Sequence, residues 1–148
     1  MNACHELAER MRRDRLTLTS VTDRLKDRLS EVADSDGKTV RDLMAHYASW
    51  QRLAVRRIGT QKGGGEINLT DDEVFNPLML EITRLWSDDE VRWDFEDAFE
   101  SMVEAVSGAP EEACQADGWA SRYANRMAGS HYPEHLPGLE RLAGSEAS

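Results

Sequence analysis

The chain has 148 residues, 40% of them apolar, and a formal net charge of −10 from 28 acidic and 18 basic side chains. That length suits one domain built on one core. A surface that grips phosphates needs clustered Lys and Arg. Here acids outnumber bases and alternate with them, so neither a nucleic acid nor an anionic membrane is expected as partner.

No apolar run approaches the ~20 residues that span a bilayer. The opening stretch, MNACHELAERMRRDRL, is charged throughout and does not read as a secretory leader. Cys4 and Cys114 are too few for a disulfide framework and read as free thiols. Free thiols and no leader together point to the cytoplasm.

Leu7, Met11, Leu18, Val21, Leu25, Leu29 and Val32 recur at helical spacing and predict one long amphipathic helix over about 3–32. ADSDGK breaks the pattern with turn formers. Thr39 then offers an N-cap, with Asp42 three residues on, for a second helix. Its stripe is Val40, Leu43, Met44, Tyr47, Trp50, Ala54 and Ile58, and Gly59 is placed to stop it. Residues 59–69 read as a loop. Two capping boxes follow, T-D-D-E at 70–73 and S-D-D-E at 87–90. The first opens a short helix running to about Trp86. The second opens a long one carrying Val91, Phe95, Ala98 or Phe99, Met102 and Val106, and stopping near Gly108. After the loop GAPEEACQADG, a last helical region runs from about Trp119 to Leu142, and a disordered tail is expected from about 143. No segment alternates like a strand. The expectation is an all-α, single-domain four-helix bundle over residues 1–148, with a short extra connecting helix.

Four histidines are present. His5 reads as a solvated surface residue. His46 lies mid-helix on or beside the buried stripe, where a partly buried histidine bonded to a neighbour is the plain expectation. His131 and His135 stand four apart in SHYPEHL, a spacing that lets two imidazoles share a divalent ion on one helix face or simply marks a helix end. Three neutral imidazoles from facing helices would leave coordination positions open for water or substrate. Pro133 has no amide to donate and its ring crowds the carbonyl of Gly129; Pro137 repeats this one turn later. The region is therefore expected either to kink, with Gly129 giving room, or to restart with Ser130 as cap. Asp42 is a candidate second-shell partner orienting His46, or simply a capping residue. Tyr47, Trp50, Trp86 and Tyr132 are candidate walls of an apolar pocket. Glu134 reads as a solvated carboxylate.

These motifs resemble those of the DinB/YfiT-like superfamily. GKTVRDLMAHYASWQ (37–51) is similar to its second-helix signature, which supplies one metal-binding histidine. SHYPEHL (130–136) is similar to its late H-Y-x-E-H motif, which supplies two more, and EVFNPLMLEITRLWSDDEV (73–91) to its connecting stretch. The chain also looks like the branch related to ClbS/DfsB self-resistance proteins. The resemblance implies up-up-down-down connectivity and a divalent ion, zinc or nickel, on His46, His131 and His135. It implies a metal-dependent thiol S-transferase or a detoxifying hydrolase. Such an enzyme acts on an electrophilic small molecule, with a low-molecular-weight thiol as possible cosubstrate. The competing readings are a module that sequesters a small molecule without chemistry, and an interaction protein that forms a homodimer.

Overall fold

The computed structural model describes residues 2–62 and 72–144. The chain is all-α. Its helices are α1 (Ala3–Arg24), α2 (Val40–Lys62), α3 (Asp72–Thr83), α4 (Asp88–Ser107), α5 (Trp119–Arg126) and α6 (Tyr132–Gly144). A 3₁₀ turn, Glu111–Cys114, precedes α5, and a π turn, Met127–His131, joins α5 to α6. Among the described residues no strand forms; Val32 and Thr39 make one isolated bridge. No described helix is long and apolar enough to cross a membrane.

The helices start where side chains satisfy their first amides. Asn2 Oδ1 accepts from the amide of His5 at 2.9 Å and opens α1. Thr39 and Asp42 cap each other across the start of α2, each side chain accepting from the other's amide at 3.2 Å. Ser87 and Glu90 form the reciprocal box that opens α4. The box expected at 70–73 begins outside the described residues.

Two expected ends move. The first helix stops at Arg24, not near 32, although no breaker residue lies between. The carbonyls of Leu29 and Glu31 instead accept from the first amides of α2, Arg41 at 2.9 Å and Val40 at 3.0 Å. The segment after α1 is thus joined by its backbone to the start of α2. Leu25 and Leu29 stay buried without a helix, whereas Val32 is exposed. At the other end α2 runs through Gly59 to Lys62. One glycine inside a helix costs about 1 kcal/mol, too little to end a helix packed along its length.

The bundle core gathers Leu7, Met11 and Leu18 from α1, Leu43, Tyr47 and Ile58 from α2, Phe95, Phe99 and Met102 from α4, and Leu139 from α6. Helix α2 lies chiefly against α4, and α1 against α4 and α6. Arg15 is buried among them. Its guanidinium stacks between the rings of Phe95 and Phe99, at 4.2 and 4.1 Å, and donates to the carbonyl of Phe95 at 3.0 Å. Burial lowers its pKa. On the outside, Val74, Leu78 and Ile82 of α3 and the following Leu85 form an exposed apolar stripe.

The cysteines correct the free-thiol reading. Cys4 at the start of α1 and Cys114 in the 3₁₀ turn are joined as a disulfide, with Cα atoms 4.9 Å apart. The sequence shows no framework because 110 residues separate them. The argument for a cytoplasmic location loses the support it drew from free thiols.

Candidate metal centre

The three expected histidines meet. His46, His131 and His135 each offer a ring nitrogen, and these atoms all lie within 4.8 Å of one another. Nε2 of His46 and Nε2 of His131 are 3.0 Å apart. The ring of His46 stands edge-on to both others, at centroid distances of 4.8 and 4.9 Å. His5 is exposed near Glu9, as a surface residue should be.

Each ring reaches the cluster for a local reason. His46 sits in the middle of α2, where a regular helix holds it beside Tyr47, whose hydroxyl donates to the carbonyl of Tyr132 at 3.0 Å. That bond ties α2 to the residue after His131. The approach to His131 is not a regular helix. A π turn carries the chain from Met127 to His131, and the amide of Tyr132 reaches back to the carbonyl of Met127. The wider turn eases the crowding that Pro133 would cause in a tight helix, and π turns of this kind recur at functional sites. The regular helix is therefore interrupted where the prolines lead one to expect it, and α6 begins at Tyr132 after the π turn. Gly129 is not needed for room, because a Cβ there would meet nothing within 4 Å. Pro137 lies inside α6 without ending it.

The surroundings keep the rings of His46 and His131 neutral. Burial, then the charge of His135 and Lys38, pushes His46 down to about 4. Burial, then the charges of His46 and His135, pushes His131 down to about 3. At neutral pH both rings therefore keep a lone pair. Nδ1 of His131 lies 3.3 Å from the sulfur of Met127, while Nε2 of His135 is buried with no hydrogen-bond partner.

A cavity of about 310 Å³ opens beside His46 and His135. Leu43, Met79 and Leu80 give it an apolar side; Asp36, Lys38 and Glu134 give it a charged one. Helix α3 forms its roof. Trp50 Nε1 donates to Asn76 Oδ1 at 2.8 Å and its ring meets Phe75 edge-on, which pins α3 to α2. Arg41 donates to the carbonyls of Thr83 and Trp86 and pins its far end.

None of the aromatic residues expected in the wall lines this cavity. Tyr47 is fully buried in the core beneath the rings. Tyr132 is buried, and its hydroxyl accepts from Gln51 at 3.2 Å. Trp50 flanks His46 and His131 but braces α3 and is not part of this wall, and Trp86 packs against the core. Asp42 lines the cavity, yet its carboxylate bonds the amide of Thr39 and faces Arg84 at 3.4 Å, not His46. It caps α2. Glu134 is mostly exposed, with Oε2 3.9 Å from Nε2 of His135.

One carboxylate near the cluster was not singled out from the sequence. Oδ2 of Asp34 lies 3.9 Å from Nδ1 of His135. Asp34 stands in ADSDGK, which composition marks only as a turn, and no spacing rule links it to a residue about a hundred positions on.

A scan against protein-family models, a search of curated proteins and a search of solved structures each returned no match.

Proposed function

We propose that the chain is a DinB-like metal-binding bundle, and that it uses a divalent ion, zinc or nickel, to add a thiol or water to an electrophilic small molecule. The convergence of three imidazoles beside a cavity carries this reading. The donor set fits an ion of that kind. Two imidazole nitrogens bound to one ion at about 2.0–2.1 Å each stand roughly 3 Å apart, which matches the 3.0 Å between His46 and His131. Nε2 of His135, buried and unpartnered, is costly to leave in that state and would be satisfied by coordination.

When bound, such an ion acts as a Lewis acid that lowers the pKa of a thiol or water. The protein's own residues do the rest. His46, His131 and His135 would hold the ion beside the cavity. Leu43, Met79 and Leu80 exclude water from one side of a bound molecule. The volume limits that molecule to modest size. The buried hydroxyl of Tyr47, its pKa raised by burial, stays protonated and holds α2 to α6.

The test is metal analysis of protein purified without a histidine tag. Stoichiometric divalent metal in the wild type, lost in His46→Ala and in His135→Ala with the helical content retained, is the expected result. Protein that carries no metal after exposure to zinc or nickel would sink the proposal. The alternative is sequestration. It is favoured if metal-free protein binds an electrophile as tightly as loaded protein and returns it unmodified.

A further inference from the structure

The geometry points to Asp34 as the positioning carboxylate of the site: it holds Nδ1 of His135 and so leaves Nε2 of that ring for the ion. This rests on the metal-binding reading above.

Asp34 is held by its own turn: its carboxyl shares a hydrogen bond with that of Asp36, and burial followed by that neighbour raises its pKa. Its Oδ1 accepts from the backbone amides of Lys38 at 3.1 Å and Asp36 at 3.3 Å. Its Oδ2 lies 3.9 Å from Nδ1 of His135, with both side chains largely buried. A hydrogen bond requires that gap to close to about 3 Å. An imidazole that donates from Nδ1 to a carboxylate presents its lone pair on Nε2. Nε2 of His135 is the atom found buried without a partner.

The turn is docked, not merely nearby. The amide of Ala33 donates to the carbonyl of Lys38 at 2.8 Å and closes the loop. Gly138 lies three residues beyond His135 on α6. A Cβ there would come within 2.5 Å of the carbonyl oxygen of Ala33 and within 3.5 Å of Asp34 Cβ. Only a residue without a Cβ lets the turn sit this close, and that approach is what brings Asp34 to His135. Asp42, the carboxylate with the better motif, is spent on capping α2.

The decisive variant is Asp34→Asn. Asparagine can keep its carbonyl oxygen on the amides of Asp36 and Lys38 but cannot accept from Nδ1 with the remaining group. Two readouts are used on the full chain. Zinc and cobalt affinity by chelator competition should fall about 10- to 100-fold, with the melting temperature little changed. Nitrogen NMR of the metal-free protein should show His135 as the Nδ1–H tautomer in the wild type, shifting toward Nε2–H in the variant. Wild-type affinity in Asp34→Asn, or an Nε2–H tautomer in the wild type, overturns the assignment. Asp34→Glu, which restores a carboxylate, should recover part of the lost affinity; no recovery would mean the turn alone was damaged and would also count against it. If the wild type binds no metal, the metal-binding reading fails first and this one with it. Tight wild-type binding with an indifferent Asp34→Asn removes only the role of Asp34.

Discussion

Helix α4 and the stretch from α5 to α6 make opposite uses of the same chain. Helix α4 is regular from its capping box to Gly108, and its stripe of Val91, Phe95, Phe99, Met102 and Val106 is wholly buried. It contributes no residue to the histidine cluster. The α5–α6 stretch holds a π turn and two prolines, and it supplies two of the three rings. Regular patterning builds a support that could serve many sites. The site itself forms where local preferences are overridden, which is where local rules are expected to fail.

Phe95→Ala should have the largest effect on stability, about 3–5 kcal/mol by chemical denaturation. It removes a buried ring and one face of the sandwich around Arg15. In the fraction that folds, metal affinity should stay within a few fold; a selective loss of metal would show that α4 reaches the site after all. Gly138→Ala should cost less, about 1–3 kcal/mol, because a methyl group must displace the Ala33 carbonyl. Unlike Phe95→Ala it should weaken metal binding markedly, and unchanged affinity would break the link between the docked turn and the rings.

The contrast explains what could be read in advance. The start of α4, its stripe and its end follow from S-D-D-E, from apolar spacing and from Gly108, all local signals. The histidine triad was legible only through motifs separated by about eighty residues, since no local rule joins His46 to His131. The early end of α1 is not marked locally: no breaker lies at its end, and the backbone after it pairs with the start of α2, a contact between segments that no local pattern shows. Aromatic residues were assigned to a pocket on size and proximity in sequence. Tyr47 and Tyr132 instead face inward, because a buried phenol needs a partner and the core supplies one. The disulfide escaped for the same reason as Asp34: both depend on parts of the chain about a hundred residues apart.

Acid should act on the site and spare α4. In the metal-free protein His46 and His131 ionise at about 4 and about 3, against about 6.5 for a free imidazole. Between those values the unfolded chain binds more protons than the folded one, so stability rises with pH. It is therefore lost as the pH falls from about 6.5 toward 4 and then 3. Denaturation of the metal-free protein at a series of pH values should show this slope, and the double variant His46→Ala with His131→Ala should flatten it. An equal slope in both would locate the acid sensitivity elsewhere. The smallest effect is expected from Ser87→Ala, about 1 kcal/mol from the lost cap of α4. Metal content should not change.

The bond between Cys4 and Cys114 closes most of the chain into a loop with a free arm. His46 lies within the closed part; His131 and His135 lie on the arm that leaves it. In the proposed reading an ion on all three would fasten the arm back onto the loop. The molecule would then be held by two fasteners of different chemistry, one opened by reductants and the other by acid or chelators. Either could be undone while the other stays closed.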